Sequence, residues 1–393
     1  MIGPGLGPLA SAGHASRAPL RPGGAALPSR AMATRRKPIP RPGPGAPLDL
    51  ALQGGGSHGA FTWGVLDRLL DDETLAIDGV CGTSAGALNA AVMATGWAGG
   101  GRAGARSALR AFWLDVAEQG GCFGAGSGGP EQAGLVGSSL EGNPLFFWSQ
   151  QFLRTFSPYQ FNPLDINPLR DVLRRHVQEG ALRTGPLAVF VTVTAVRTGQ
   201  PRVFHRDDVT IDALLASACL PQLFRAVVVD GEPYWDGGYS GNPAIWPLIY
   251  ETPALDVLLV KIDPLVRPEI PDTSGEIADR VNEITFNASL VSEMRAIAFV
   301  QRLVREGRLS EGEYKDLRLH MIADESHLAQ LHPSSKLNTD RAFLEALFDL
   351  GCAAAHAWLA RHRHDIGVRS TFDPAKTFLA QRSANRPTTS TGP

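Results

Sequence analysis

The chain has 393 residues, 44% of them hydrophobic and 19% charged, and its formal net charge is −2. This composition is ordinary for a soluble globular protein and gives no electrostatic reason to expect a nucleic-acid partner. The four cysteines, Cys81, Cys122, Cys219 and Cys352, form no C-x-x-C pair, which argues against a zinc site and against a disulfide framework. No stretch has the roughly 18–20 uninterrupted apolar residues of a membrane-spanning helix, so any membrane contact would be peripheral.

The two ends of the chain are expected to lack a fixed fold. Residues 1–47 are rich in Pro, Gly, Ala and Arg, contain no Asp or Glu and show no hydrophobic periodicity, which predicts a disordered leader. The leader lacks the apolar centre of a secretory signal and only faintly resembles a transit peptide. We therefore favour a flexible segment, with Met32 as an alternative start, and a cytoplasmic protein. Residues 381–393 are predicted to be a loose tail.

Between these ends, short apolar runs alternate with helical patterns, which is typical of a sheet with helices on its faces. Strands are predicted at Leu48–Leu52, Ile77–Cys81, Leu187–Val196, Leu255–Ile262 and Leu317–Ile322. Helices are predicted at Ala60–Leu70, Ala85–Thr95, Arg106–Glu118, Gly275–Arg305 and Asp340–His364. We divide this part of the chain into a core domain, residues 48–250, and an α/β extension packed on it, residues 251–380.

The first motif is a run of three glycines, Gly54–Gly56, between the first predicted strand and the first predicted helix. Glycine loses more conformational freedom on folding than any other residue, so such a run indicates that side chains would obstruct what the backbone does there. Its common uses are a phosphate cradle, a dinucleotide turn and an oxyanion hole. The spacing Gly54-x-Gly56-x-x-Gly59, with Asp78 further on, fits a dinucleotide fingerprint and keeps a nucleotide-binding Rossmann-like protein open as an alternative.

The second motif, Gly82-Thr83-Ser84-Ala85-Gly86, lies directly between a predicted strand and a predicted helix. In that context the G-x-S-x-G pattern indicates a nucleophile elbow, a sharp turn that exposes one serine hydroxyl while the flanking glycines let the chain pass without a clash. The nearby helix N-terminus favours a developing negative charge. Ser84 is therefore the candidate nucleophile, and it needs a base.

Two kinds of base are available to Ser84. The late histidines lie in charged or helical surroundings that favour surface or packing roles: His320, His327, His332, His356, His362 and His364. A histidine-dependent α/β-hydrolase stays open as a second alternative. Asp236 ends a predicted strand and precedes Gly237-Gly238, so its carboxylate emerges where the backbone can approach another element closely. Taken alone, Asp236 is explained equally well by an ordinary Asp-Gly turn, and a hairpin turn is sufficient to explain Asp230-Gly231.

The glycine run, the serine elbow and the Asp-Gly-Gly segment, together with residues 216–221 (ASACLP) and Phe224, resemble the patatin-like phospholipase family of the bacterial type. The resemblance covers roughly Leu48 to Pro243, with the motifs in the family's order. It implies an α/β/α sandwich with a mostly parallel central sheet, here followed by a helical C-terminal extension. It also implies hydrolysis of lipid carboxylic esters by a Ser–Asp dyad without histidine. None of the motifs requires a metal or a cofactor, and members of the family vary in their use of calcium.

The resemblance further implies roles for individual residues. Ser84 would be the nucleophile and Asp236 the base that accepts its proton. The backbone N–H groups of Gly54, Gly55 and Gly56 would bind the oxyanion. Other motif residues would support the site: His58, Gly59, Gly82, Gly86, Gly237 and Gly238.

One position departs from the family pattern. Where the family usually has arginine or lysine, this chain has His58. A histidine is only partly charged near neutral pH, so any contribution to binding a phosphate or an oxyanion should depend on pH. We expect His58 to brace the glycine loop rather than to pair with Ser84. A catalytically silent lipid-binding protein with the same fold is a third alternative, and the intact dyad argues against it.

The residues after the third helical pattern are unusual in composition. Gly120–Gly142 is glycine-rich and longer than a connector needs, and Pro144–Phe156 is dense in large aromatic residues. We predict a lid or interfacial element that opens on a lipid surface, with a plain core helix as the alternative. The expected partner is a lipid or acyl-ester substrate, and the sequence predicts no oligomeric state.

Overall fold

An eight-stranded sheet forms the centre of the part of the chain that this computed structural model describes, residues 45–120, 135, 140, 155–267, 269–309 and 314–380. The predicted leader up to residue 44 and the predicted tail lie outside the described residues. Most of the stretch from residue 121 to residue 154, which holds the predicted lid, also lies outside them.

The strands are β1 (Pro47–Leu52), β2 (Ala76–Thr83), β3 (Ala188–Ala195), β4 (Pro201–His205), β5 (Val227–Val229), β6 (Glu232–Asp236), β7 (Asp256–Lys261) and β8 (Arg318–Ala323). Their order in the sheet is β5-β6-β3-β2-β1-β7-β8, and β4 pairs with β3 beside this path. The strands β1, β2, β3, β7 and β8 run parallel, while β4 and β6 run antiparallel to β3. The five predicted strands are confirmed, each with ends within two residues of the predicted bounds.

The helices are α1 (Gly59–Asp71), α2 (Ala85–Gly120), α3 (Pro158–Phe161), α4 (Pro168–His176), α5 (Glu179–Thr184), α6 (Ile211–Ser217), α7 (Trp246–Glu251), α8 (Ser274–Arg305), α9 (Glu325–Leu328) and α10 (Arg341–His362). The backbone angles at Gly100 and Gly101 are not helical, so α2 is kinked there. The helices predicted at Ala85–Thr95 and Arg106–Glu118 are the two arms of this kinked helix.

Helices cover both faces of the sheet. Successive side chains of a strand point to opposite faces, and in β1 the Leu50 side chain packs into one buried apolar cluster whereas Ala51 packs into another. The first cluster contains side chains of α1, α2, α6 and α10, and the second contains side chains of α7 and α8. The predicted α/β/α sandwich with a mostly parallel sheet is thereby confirmed. The C-terminal residues contribute β7 and β8 to this same sheet.

The helix α10 is long and apolar enough to cross a membrane by length and composition alone. It packs directly on α1, because a Cβ atom at Gly64 of α1 or at Gly351 of α10 would collide with the backbone of the other helix. Its side chains Leu344 and Leu347 are fully buried in the cluster that α1 also joins. This packing is that of a helix in a protein core.

Three neighbouring parallel strands end at one edge of the sheet. There β1 leads into Gln53 and the three glycines, β2 leads into Ser84, and β7 leads into Ile262 and Asp263. In open α/β sheets, ligand sites lie outside the carboxyl ends of the strands. The antiparallel strand β6 ends beside β3 with Asp236. Both predicted catalytic side chains are thus carried by strand ends.

Candidate active site

Ser84 occupies the sharp turn between β2 and α2. Its φ angle of 51° lies in the left-handed region, which is strained for a residue that has a Cβ atom. A Cβ atom at Gly82 would lie 2.5 Å from the carbonyl carbon of Gly86, and one at Gly86 would collide with the Leu52 carbonyl group. The two glycines of the motif therefore permit the close backbone approach that the elbow needs.

A second serine fixes the backbone of the elbow. The Ser84 N–H donates a hydrogen bond to Ser217 Oγ at 2.9 Å, and the Ser217 hydroxyl donates to the Thr192 carbonyl oxygen at 2.7 Å. Ser217 is the last residue of α6 and is fully buried. Ser217 thus links the elbow to α6 and β3 and positions the Ser84 backbone. The residues next to Ser217 in the sequence do not predict this role.

Asp236 is the last residue of β6 and is fully buried. Its Oδ1 accepts the Gly238 N–H at 2.7 Å, and its own N–H donates to the Cys219 carbonyl oxygen at 2.8 Å. Its Oδ2 has no hydrogen-bond partner among the described residues. Gly237 and Gly238 form the short turn that follows, where Gly237 lies against the Thr192 carbonyl so closely that a Cβ atom would collide with it.

The structure brings Ser84 and Asp236 together. Burial raises the pKa of the Asp236 carboxyl group to about 7, while the Gly238 N–H and the Ser84 hydroxyl lower it by stabilising the charged form. The hydroxyl is close enough to lower the pKa of the carboxyl group, yet Asp236 Oδ2 has no hydrogen-bond partner among the described residues, and catalytic hydrogen bonds are often long before substrate binds. A carboxylate whose pKa is near neutrality can accept the proton of a neighbouring serine hydroxyl. The pair can thereby convert the serine into a nucleophile.

The prediction that all three glycines offer an N–H group to an oxyanion needs a correction at Gly54. The Gly54 N–H donates to Asn242 Oδ1 at 2.7 Å, so this group is already engaged. A Cβ atom at Gly54 would lie 2.7 Å from the Ser84 Cβ atom, which shows that this glycine lets the end of β1 approach the elbow. The N–H groups of Gly55 and Gly56 have no acceptor among the described residues, and the candidate oxyanion hole narrows to these two.

Gly56 is held in a conformation that other residues resist. Its φ angle is 59°, and a Cβ atom there would collide with the Lys336 carbonyl oxygen. We expect Gly56→Ala to lower kcat on a soluble ester at least about tenfold, because the loop must shift and a candidate oxyanion donor moves with it. The measurements are ester hydrolysis and urea unfolding.

Gly199 provides a matched control for Gly56. Its φ angle is also positive, at 68°, but a Cβ atom there would contact nothing within 4 Å. Gly199→Ala should cost about 1–2 kcal/mol of stability from the left-handed backbone alone and leave kcat unchanged. If the two variants lost the same stability and both kept full activity, the tight contact of Gly56 with Lys336 would have no functional meaning.

The expectation that His58 carries a partial charge near neutral pH is wrong. His58 is fully buried, and burial, followed by the nearby Lys336 and Arg267, holds the pKa of His58 well below its usual range. The Ser335 hydroxyl donates to the His332 carbonyl oxygen at 2.6 Å, so Ser335 Oγ accepts the bond from His58 Nε2 at 2.7 Å. His58 is thus a neutral side chain that ties the glycine loop to the turn Pro333–Leu337.

Polar residues outside the sequence motifs support the glycine loop from behind. Gln53 Oε1 accepts the N–H groups of Ile262 and Asp263, both at 2.8 Å, and Gln53 Nε2 donates to Asn287 Oδ1 at 3.2 Å. Gln53 and Asp263 are polar residues that come soon after buried strands. A polar residue soon after a buried strand is the sequence feature that could have identified Gln53 and Asp263 as site residues.

Among the described residues, no group of three or more His, Cys, Asp or Glu side chains is arranged to hold a metal ion. Around the two candidate catalytic residues, Ser217 Oγ bonds to the backbone of Ser84 and of Thr192, and the Gly238 N–H donates to Asp236 Oδ1. The arrangement therefore has the parts that acyl transfer requires, namely a serine, a base and backbone N–H donors.

A family model described as patatin-like phospholipase matches residues 50–249, just over half of the 393-residue chain. The matched range contains the three glycines, Ser84, Ser217, Asp236 and Asn242. No curated protein matches the chain significantly in sequence.

Among solved structures, VipD from Legionella pneumophila is 15% identical over 80% of this chain and 68% of VipD, with a TM-score of 0.34. The type III effector protein ExoU is also 15% identical, over 80% of this chain and 54% of ExoU, with a TM-score of 0.26. The chain thus spans about half the length of ExoU.

Proposed function

Because the chain belongs to the patatin-like phospholipase family, we propose that it is a serine acyl-hydrolase that cleaves carboxylic ester bonds of lipids. Ser84 is the proposed nucleophile and Asp236 the proposed base. One observation carries this proposal: a serine in a strained strand-to-helix turn lies beside a buried carboxylate whose pKa is about 7. A serine with such a partner has the chemistry of a hydrolase at neutral pH.

The proposed reaction has two half-reactions. Ser84 Oγ attacks the ester carbonyl carbon while Asp236 accepts the hydroxyl proton, and the carbonyl oxygen becomes an oxyanion near the N–H groups of Gly55 and Gly56. The carbon–oxygen bond to the alcohol then breaks, and Asp236 returns the proton to that alcohol. In the second half-reaction water attacks the acyl carbon while Asp236 accepts a proton from it. The bond between that carbon and Ser84 Oγ then breaks, Asp236 returns the proton to Ser84 Oγ, and the carboxylic acid leaves.

The test is covalent labelling with a fluorescent fluorophosphonate, followed by intact mass and peptide mapping. We expect one label, on Ser84, which is lost in Ser84→Ala and much slower in Asp236→Ala. Ser292→Ala is a matched control, since Ser292 is an exposed serine on α8 whose hydroxyl donates to the Ala288 carbonyl oxygen. Absence of labelling in the wild type would overturn the proposal.

The same experiment addresses the competing functions. In a histidine-dependent hydrolase Asp236→Ala would label at the wild-type rate, whereas several late histidines bond elsewhere: His320 to Asp256, His327 to Asp324 and His362 to Asp365. A nucleotide-binding protein would not label and would gain thermal stability with NAD or ATP. A silent lipid-binding protein would not label at all.

We also infer a contact with the lipid surface, made by the first turns of α8. Ile277, Val281 and Ile284 recur at helical spacing and are 48%, 56% and 54% exposed. Two residues further on, the Phe286 ring packs against Gly238 beside the proposed base. Phe286 lies on the opposite face of α8, so the helix packs beside the candidate site while the exposed apolar stripe faces the solvent, where a lipid surface would contact it.

Val281→Ser is expected to lower the hydrolysis of phospholipid vesicles about three- to tenfold, because it removes apolar surface that would be buried in the lipid. Hydrolysis of a short soluble ester should not change. Val368→Ser is the matched control, since Val368 is 65% exposed and adjoins Gly367, which bonds to Asp256 at the opposite end of β7. Equal losses on both substrates would instead indicate a packing role for Val281.

A further inference from the structure

A buried ion pair lies behind the glycine loop, outside the proposed dyad. Lys336 Nζ lies 2.6 Å from Asp263 Oδ1, where Asp263 is fully buried and the Lys336 side chain is 21% exposed. Asp263 Oδ2 accepts a hydrogen bond from Asn242 Nδ2 at 3.3 Å, and Asn242 Oδ1 accepts the Gly54 N–H at 2.7 Å. A continuous series of polar contacts thus runs from Lys336 to the glycine that packs on Ser84.

The turn Pro333–Leu337, which carries Lys336, touches the glycine loop at two further points. The Lys336 carbonyl oxygen lies so close to Gly56 that a Cβ atom could not be placed there. Ser335 Oγ bonds to His58, 277 residues away in the sequence. One short turn therefore contacts the loop through a backbone carbonyl and a hydroxyl group, and it binds Asp263 through the Lys336 charge.

We propose that Asp263 and Lys336 form a positioning pair for the Ser84–Asp236 reaction, in which Asp263 holds the glycine loop through Asn242 and Lys336 balances the Asp263 charge beside Asp236. The pair rests on the proposed function, and neither member touches the reacting atoms. Both residues lie outside residues 50–249, the range that the family model matches.

The two partners act on Asp236 with opposite signs. The negative charge of Asp263 raises the pKa of Asp236, and the positive charge of Lys336 lowers it. Two other titratable groups face Asp236, Cys219 and Tyr239, and both are uncharged at neutral pH because burial raises the pKa of each, that of Cys219 to about 12. Removing the Asp263 charge should therefore lower the pKa of Asp236, and removing the Lys336 charge should raise it.

The test measures the rate at which a fluorophosphonate labels Ser84 as a function of pH in the full chain. Asp263→Asn removes the negative charge at equal size, and the pH of half-maximal rate should fall by on the order of one unit. Lys336→Gln removes the positive charge but keeps a donor for Asp263, and that pH should rise by a similar amount. The double variant should return toward the wild-type midpoint, because the two shifts oppose each other.

Arg341→Gln is the control, since it removes a cation from an exposed ion pair with Glu345 at the start of α10, and its midpoint should equal that of the wild type. A merely structural role would slow labelling in both variants without moving the midpoint. That result, or shifts in the same direction in both variants, overturns the proposal while the proposed function stands. If the wild type does not label at Ser84, the proposed function fails and the positioning role fails with it.

Discussion

Ser84→Ala is expected to lower kcat on a short soluble ester by roughly 10⁴- to 10⁶-fold, the range found when a serine nucleophile is removed. The loss should fall on kcat more than on KM, because the hydroxyl group forms its bond only as the reaction proceeds. Steady-state hydrolysis of the ester at pH 8 measures it. A variant that retains activity within tenfold of the wild type would exclude Ser84 as the nucleophile.

Ser84→Gly separates the chemical role of Ser84 from its backbone strain. Both variants lack the hydroxyl group, but glycine tolerates the φ angle of 51° that alanine, like serine, adopts only under strain. We expect Ser84→Gly to be as inactive as Ser84→Ala and about 1 kcal/mol more stable. Urea unfolding of the two variants compares these stabilities, and equal stabilities would contradict the strained elbow.

Ser217→Ala tests the support of the elbow. It leaves the Ser84 N–H without its acceptor, and an unsatisfied buried donor costs about 1–3 kcal/mol. We expect a partial loss of kcat, about ten- to a hundredfold, with the Ser84 hydroxyl still able to label. Labelling that vanishes altogether would show that Ser217 does more than position the elbow.

The parts of the fold that could be predicted are those that the local sequence determines. The apolar runs of β1 and β2 are buried on both faces, and the glycines on either side of Ser84 are needed by the turn in which they stand. The kink of α2 could not be predicted in the same way. A helical pattern on both sides of Gly100 and Gly101 is equally consistent with two separate helices and with one bent helix.

The details of the candidate site depend on contacts between distant segments, and this is why local patterns miss them. The engagement of the Gly54 N–H requires Asn242, which is 188 residues away. The neutral state of His58 requires its burial against the turn Pro333–Leu337, and a histidine viewed in sequence alone has its ordinary pKa. The pairing of Ser84 with Asp236 was predictable only because the order of several motifs resembles that of a family.

Asp236→Asn is expected to lower kcat/KM by roughly 10²- to 10⁴-fold, since an amide cannot accept the Ser84 proton. In the wild type kcat/KM should rise with pH through about 7, because burial raises the pKa of Asp236 to about 7 and the charged form is the base. The variant should lose this rise. A wild-type profile that stays flat from pH 5 to pH 8 would contradict the assignment of Asp236 as base.

The same substitution should make the protein more stable than the wild type at high pH, because folding raises the pKa of Asp236. The pKa of Asp236 is raised from 3.8 to about 7 on folding, so the folded chain holds this proton more tightly than the unfolded chain. The stability that Asp236 contributes is therefore complete below pH 4 and is lost as the pH rises through 7. Between pH 5 and pH 8 the wild type should lose about 3 kcal/mol through this group.

The asparagine side chain that Asp236→Asn introduces does not ionise and can still accept the Gly238 N–H through its carbonyl oxygen, so the variant should escape this loss. Burial also raises the pKa of Asp49 and of Glu293 to about 7, but both residues are present in both proteins and their effects cancel in the difference. The measurement is urea unfolding of wild type and variant at pH 5 and pH 8. If the free energy of unfolding of the variant, relative to that of the wild type, increases between pH 5 and pH 8, the buried Asp236 carboxylate destabilises the fold at high pH. If this difference is the same at both pH values, Asp236 titrates with its ordinary pKa.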